Sequence, residues 1–288
     1  MLKVVAFGDN VVDCYADRSV MYPGGNALNF SVFIRRFGGE AAYVGAVGTD
    51  DAGRHIRDSL VLEGVDVSRL RECDGNSAFC LIGSHDGERE FIGADLGVSI
   101  IAPDAGDLAL IGTADAVHTG RSSHVETHLA DFAARTRLSF DFAVVRDPER
   151  IARLAPLCFL ASFSGGDMSQ DDAEGFLERT RAAGATWVLV TRGEAGALLA
   201  GPSGHFATPA VPTTLVDTLG AGDTFIARTL YGLLRGEAPE QTLLTAAHEA
   251  AKTCGHLCAF GHPAPMAVDR SRARSLSEIY GAENDIRA

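Results

Sequence analysis

Val216-Asp217-Thr218-Leu219-Gly220-Ala221-Gly222-Asp223-Thr224-Phe225 is the stretch on which the reading of this chain turns. Two glycines bracket an alanine, an aspartate follows, and an apolar helical pattern begins over residues 225–234. A Gly-Ala-Gly turn feeding a helix N-terminus offers unpaired backbone N–H groups and the positive end of the helix dipole to an anion. An aspartate in that place repels a phosphate, so its useful work is to take a proton from a hydroxyl beside it. The local string points to phosphoryl transfer to an alcohol, with Asp223 as the base and Gly220, Ala221 and Gly222 as the anion cradle. The competing local reading makes Asp223 a helix cap and the glycines a tight turn.

Outward from that string, strand-like apolar runs (4–7, 41–46, 116–118, 138–142, 158–161, 187–191) alternate with helical patterns (26–37, 53–63, 124–136, 170–183, 240–254). The alternation predicts an α/β fold with a mostly parallel sheet covered by helices on both faces. Residues 77–82 and 89–92 break the pattern. The polar connection Gly83-Ser84-His85-Asp86-Gly87-Glu88 suits a β-hairpin. With residues 11–20 that hairpin builds a small second sheet over one edge of the main one, as a lid does. There is no linker, internal repeat or low-complexity segment, so 1–288 reads as a single domain with lid strands at about 11–22 and 76–98. Only the last dozen residues look loosely held.

Apolar residues make up 46% and charged residues 22% of the 288, enough for a sizeable core. A net charge of −13 with no Lys/Arg cluster argues against nucleic-acid or anionic-membrane partners. A small phosphorylated ligand remains compatible, because backbone dipoles and a divalent metal can meet its charge. The first apolar run is too short for a signal peptide and no run of about 18 apolar residues exists, which places the protein in the cytoplasm. The cysteines (Cys14, Cys73, Cys80, Cys158, Cys254, Cys258) are scattered and read as free thiols. Cys254 and Cys258, four apart at a predicted helix end with His256 and His262 nearby, could reach a metal or sit on a packed face, and the second half of a structural site is missing.

Three more segments carry chemistry. In Gly24-Gly25-Asn26-Ala27-Leu28-Asn29, paired glycines let the backbone approach a polyol and asparagines donate to and accept from hydroxyls; the alternative is a turn with Asn26 or Asn29 as helix cap. Gly8-Asp9-Asn10-Val11-Val12-Asp13 ends the first strand, where ligands collect in open α/β sheets. Val188-Leu189-Val190-Thr191-Arg192-Gly193-Glu194-Ala195-Gly196 is a buried strand followed by a Thr-x-Gly-x-x-Gly turn. Neither a P-loop nor a Gly-x-Gly-x-x-Gly after the first strand is present.

Asp-Thr-x-Gly-Ala-Gly-Asp-x-Phe at 217–225, together with the segments at 24–29 and 191–196, resembles the signatures of the ribokinase-like, or PfkB, family of carbohydrate kinases. The resemblance runs from residue 4 to about 260. It implies a three-layer α/β/α core with a β-sheet lid that closes the sugar site and often mediates homodimers. It implies ATP as phosphoryl donor with Mg²⁺ on its phosphates, Asp223 as base over the Gly220-Ala221-Gly222 amides, and Thr191, Gly193 and Gly196 at the nucleotide. Asp13 would grip sugar hydroxyls beside Asp9, Asn10, Gly24, Gly25, Asn26 and Asn29. Asp217 matches a position associated with a monovalent cation such as K⁺. One departure stands out: where the family carries Asn-x-x-Glu near the metal, this chain has Ser162-Phe163-Ser164-Gly165-Gly166-Asp167. Either Asp167 or water completes the metal's outer shell, or Mg²⁺ is held more weakly.

Within the family, Gly-Asp-Asn-x-x-Asp at 8–13, Val47-Gly48-Thr49-Asp50-Asp51-x-Gly53, Phe140-Asp141-Phe142 and Ala250-Ala251-Lys252-Thr253 look most similar to fructoselysine 6-kinases. That implies phosphorylation of the 6-hydroxyl of a fructosamine, with Asp9 either meeting a substrate ammonium or capping its loop, and Arg121 and His124 facing a substrate carboxylate. The alternatives are a fructokinase, ribokinase or other sugar or nucleoside kinase, and a silent sugar-binding regulator suggested by the missing Asn-x-x-Glu.

Overall fold

Val, Ala, Leu and Phe side chains buried on both faces make the central strands of this protein, which is why those strands read as continuous apolar runs rather than alternating ones. The computed structural model describes residues 1–85 and 88–280. Its first half runs β1 (Lys3–Phe7), β2 (Val11–Tyr15), β3 (Val20–Gly24), α1 (Asn26–Arg36), β4 (Glu40–Gly48), α2 (Asp51–Leu62), β5 (Asp66–Cys73), β6 (Phe79–His85), β7 (Glu88–Asp95), α3 (Ala105–Ile111), β8 (Ala116–Gly120), α4 (Leu129–Ala133) and β9 (Arg137–Asp141). The second half runs α5 (Pro148–Leu154), β10 (Cys158–Ser164), α6 (Gln170–Ala182), β11 (Trp187–Thr191), β12 (Ala197–Gly201), β13 (Gly204–Thr208), α7 (Ala221–Arg235), α8 (Pro239–Thr253), β14 (Ala264–Pro265) and α9 (Leu276–Tyr280).

Nine strands form the main sheet in the order β13-β12-β11-β10-β9-β8-β1-β4-β5. It is parallel from β11 to β5, and β12 and β13 extend it antiparallel. Alternate residues of β1 go to opposite faces. Val4 and Ala6 join one apolar cluster with α1, α2, α7 and α8. Val5 and Phe7 join a second with α3, α4, α5 and α6. The strand order reverses at β1, which lies between β8 and β4, and the carboxyl ends of β1 and β8 therefore open onto a crevice.

The second sheet has five strands in the order β14-β3-β2-β6-β7. Four of its strands, β2, β3, β6 and β7, come from the segments expected to form a lid, and β14 comes from near the C-terminus. Asp86 and Gly87, in the expected hairpin connection, and 281–288, in the expected loose tail, lie outside the described residues.

Several sequence expectations are corrected. The helix expected over 124–136 is one 3-10 turn (Glu126–His128) followed by the short α4, because His124, at a left-handed φ of 53°, closes the preceding 3-10 turn (Arg121–Ser123) and cannot start a helix there. β5, β12, β13, α3 and α5 carry too little periodicity to be anticipated. α8 stops at Thr253, so Cys258 lies past the helix at φ 59°, and the shared helical face assumed for Cys254 and Cys258 does not exist. All six thiols are free. Among the described residues no group of three or more His, Cys, Asp or Glu side chains is arranged to hold a metal ion, and no helix is long and apolar enough to cross a membrane.

Candidate active site

Gly220 takes φ 77° as the residue before α7. A side chain there would be strained in that left-handed conformation and would run into Ala259, whose Cα lies 2.6 Å from where the Cβ would sit. Glycine thus lets the chain turn directly into the helix against the 254–260 segment. The amides of Gly222 and Asp223 find no acceptor among the described residues, and nothing lies within 4 Å of a Cβ built on Gly222. Two backbone donors at a helix N-terminus are therefore left without an acceptor among the described residues, the arrangement an anionic ligand needs. The helix-cap reading of Asp223 fails, since no side chain caps α7.

Asp223 is held by α1 instead. Asn29 Nδ2 donates to its Oδ2 at 2.7 Å and Asn26 Nδ2 donates to its Oδ1 at 2.9 Å. The two asparagines lie three apart on one helix, so they share a face. The Asn26 amide also donates to Asp141 Oδ2 at 3.1 Å, and its Oδ1 lies 3.2 Å from His118 Nε2. A carbonyl oxygen only accepts, so His118 carries its proton on Nε2 and Nδ1 accepts from the Ser139 hydroxyl at 2.9 Å. Burial pushes the His118 pKa down to about 3, and the neutral ring stacks on Phe30 at 3.7 Å. His118 thereby fixes which way the Asn26 amide points.

Asp9 resolves to a cap. Its carboxylate accepts the backbone N–H of Asn26 (2.9 Å) and of Ala27 (3.4 Å) at the start of α1, and the Ser123 hydroxyl at 2.8 Å. The residue preceding α1 is Gly25 at φ 108°, which has no side chain to do this, so neither Asn26 nor Asn29 is the cap and the acid from the end of β1 serves in their place. Bulk at Gly25 would meet the Asn10 Cα at 2.7 Å. Asn10 is fully buried, donating to the Tyr43 hydroxyl (2.9 Å) and the Ala46 carbonyl (2.8 Å), and so ties the chain after β1 to β4. Asp13 lies buried on β2, where a Cβ on Gly24 would overlap its carboxylate, and the Cys258 thiol approaches it at 3.8 Å.

Three carboxylates therefore surround one asparagine. Burial lifts the Asp223 pKa to about 7, with the charges of Asp141 and Asp9 adding to it and the Asn29 and Asn26 hydrogen bonds opposing it. Burial likewise lifts Asp141 to about 6, against the Ala143 and Ser162 hydrogen bonds and the Arg121 charge. A carboxylate near neutrality is a competent proton acceptor at working pH.

Thr191, Gly193 and Gly196 lie apart from this network, at the end of β11 and before β12, and make no hydrogen bond to it. β11 is two strands from β9, on the order of 10 Å across the sheet. The substituted segment ends β10: the Ser162 hydroxyl donates to Asp141 Oδ1 at 3.3 Å, while Asp167 is exposed and pairs with Arg146 at 3.7 Å. Among its side chains this segment offers a divalent cation only the Asp167 carboxylate and the Ser162 and Ser164 hydroxyls. Asp217 fits K⁺ poorly. Its Oδ1 accepts the Leu219 amide (3.0 Å), and its Oδ2 accepts the Cys258 amide (3.1 Å) and the Tyr15 hydroxyl. These three groups turn N–H and O–H donors toward it, whereas an alkali cation needs converging oxygen lone pairs.

Sequence reasoning missed His118, Ser123, Tyr43 and Tyr15, and met Asp141 only through a resemblance. Ser123 and Asp141 follow or end parallel strands beside the switch point, the positional signal that could have found them. His118 and Tyr43 sit inside strands, where local sequence carries no such signal.

Residues 1–259 match the family described as pfkB family carbohydrate kinase. The chain is 35% identical over 283 residues to the fructosamine kinase FrlD of Bacillus subtilis (strain 168), covering 96% of this chain and 100% of that one. It is 31% identical over 255 residues to the fructoselysine 6-kinase of Escherichia coli (strain K12), covering 88% and 97%. The solved structure of aminoimidazole riboside kinase from Salmonella enterica, complexed with aminoimidazole riboside and an ATP analog, superposes with a TM-score of 0.73 at 26% identity over 90% of this chain and 96% of that one. With the nine-stranded sheet and its smaller companion, the ribokinase-like α/β fold expected from the motifs is the fold of this chain. The chain belongs to the PfkB family of carbohydrate kinases and is a phosphotransferase.

Proposed function

We propose that this protein transfers the γ-phosphoryl group of ATP to the 6-hydroxyl of a fructosamine in the cytoplasm, with Asp223 as general base. The observation that carries it is Asp223 in the first turn of α7, off the helix cap, next to unpaired amides, and aimed by Asn26 and Asn29. In the step, Asp223 accepts the hydroxyl proton, the alkoxide oxygen forms the new O–P bond, and the bond to ADP breaks with its electron pair leaving on ADP. The amides of Gly222 and Asp223 meet charge on the moving phosphoryl group. Mg²⁺, when bound, neutralises phosphate charge. Thr191, Gly193 and Gly196 flank the nucleotide, and Asp13, Gly24, Gly25 and Asn10 shape the sugar side under the small sheet, which acts as a lid on this single domain.

The fructosamine class is supported by the similarity to FrlD and to fructoselysine 6-kinase. It is supported as well by the charge of the site, since a substrate ammonium would relieve the mutual repulsion of Asp9, Asp141 and Asp223. The six free thiols fit a reducing compartment. The test is ADP release from MgATP over fructosamines, fructose, ribose and adenosine. We expect kcat/KM for a fructosamine to exceed that for fructose by at least about 10²-fold, the discrimination one unmet buried charge can supply. Preference for fructose or ribose would replace the fructosamine reading with that of an ordinary sugar kinase.

A homodimer through the small sheet belongs to the same reading: β7 is its edge strand, and Ile92 there is 51% exposed. Sedimentation should report twice the 30.3 kDa chain mass, and a monomer would remove this part of the proposal.

A further inference from the structure

Asp217 joins three pieces of chain that the topology keeps apart. Tyr15 reaches it from β2 of the small sheet, the Leu219 amide from the turn that leads into α7, and the Cys258 amide from the segment after α8. That last segment is also the one that backs Gly220, through Ala259, and the turn closes on itself where Ala221 N–H meets the Thr218 carbonyl at 3.2 Å. Asp217 is thus bonded to both walls of the anion cradle and to the lid. Tyr15 is buried and fixed edge-on against Tyr22 of β3, with ring centroids 5.5 Å apart at 78°. Burial first, then the neighbouring Cys258 and the Asp217 hydrogen bond, push its pKa well above the ordinary value, so the phenol keeps its proton and stays a donor.

A bare aspartate behind an anion cradle opposes the ligand, and a cation beside it would cancel that charge. Here two amides and a phenol donate to that carboxylate, spreading its charge as a cation would. We propose that the Tyr15 phenol takes the place of a monovalent cation at Asp217 and latches the small sheet to the anion cradle, so that phosphoryl transfer by this chain requires no K⁺. Tyr15 is a positioning residue acting through Asp217 on the 218–222 turn. The inference rests on the reading of that turn as the phosphate cradle.

The experiment measures ADP release at matched ionic strength in K⁺, Na⁺ and tetramethylammonium salts, for the wild type, Tyr15→Phe and Asp223→Asn. The wild type should vary by less than about twofold across the three salts. Tyr15→Phe should lose about tenfold or more in kcat in tetramethylammonium, the weight of one hydrogen bond to a charged group, and K⁺ should restore part of the loss. A contact that merely supported the fold would lower thermal stability and leave the response to salts flat. Stimulation of the wild type by K⁺ beyond about twofold overturns the proposal whether or not the variant folds. A Tyr15→Phe protein indifferent to the cation overturns it as well. Asp223→Asn separates the two levels: wild-type turnover in that variant would sink the reading of the base and cradle, whatever the salts show.

Discussion

Asp223→Asn should lower kcat by about 10²–10⁴-fold while KM for both substrates changes little, because general-base assistance is realised only as the hydroxyl loses its proton. The substitution keeps the size of the side chain and removes the ability to hold a proton, and because an amide NH2 cannot accept, it gives up one of the two hydrogen bonds from Asn26 and Asn29. Steady-state rates of ADP release, with binding of the unreacted sugar followed by calorimetry, check it; a variant within tenfold of wild type would exclude Asp223 as the base. The same group sets a pH profile. With its pKa lifted to about 7 by burial and by Asp141 and Asp9, kcat/KM of the wild type should rise with pH through about 7, and the variant should lose that limb. The sign for stability is the reverse. A carboxyl whose folded pKa lies above the ordinary 3.8 binds its proton more tightly folded than unfolded. Its contribution is fully present below about pH 4 and is lost as pH rises through about 7. Asp141, lifted to about 6, adds in the same direction. Unfolding midpoints of the wild type between about pH 5 and 8 should carry this falling component, and Asp223→Asn should flatten it.

Gly220→Ala should cost about 10²–10³-fold in kcat, the range seen when one donor to a developing oxyanion is displaced. It should also destabilise the protein by roughly 1–3 kcal/mol. Alanine at φ 77° is strained, and its methyl group must displace Ala259. Relief of that overlap moves the turn, and with it the amides of Gly222 and Asp223, away from the phosphoryl position. Gly222→Ala is the control, since space is open there and α7 has helical geometry from Ala221 on. Its stability should stay near wild type. Equal loss of rate and stability in both variants would show that the cradle tolerates no side chain anywhere and that the conformation of Gly220 is not the special feature.

What the sequence by itself determined is what depends on near neighbours. The Gly-Ala-Gly-Asp string specifies a left-handed turn into a helix because only glycine accepts φ 77° there, and apolar runs punctuated by helical periodicity specify a sheet covered on both faces. Local pattern failed where a single backbone angle overrode it, as at His124. It left Asp9 open between a loop cap and a substrate contact, and met Asp141 only through a resemblance. Tertiary structure decided those roles: Asn26 bonds Asp9, Asp141 and Asp223 across sequence separations of 17, 115 and 197 residues. One of the three became a helix cap, and the other two became buried acids with elevated pKa. Tertiary structure also brought the Tyr15 hydroxyl, 202 residues away, to the Asp217 carboxylate. The physical reason is common to all of these: desolvation, mutual charge and hydrogen-bond saturation belong to the carboxyl edge of the parallel sheet, where distant strand ends meet, and no local stretch of chain contains them.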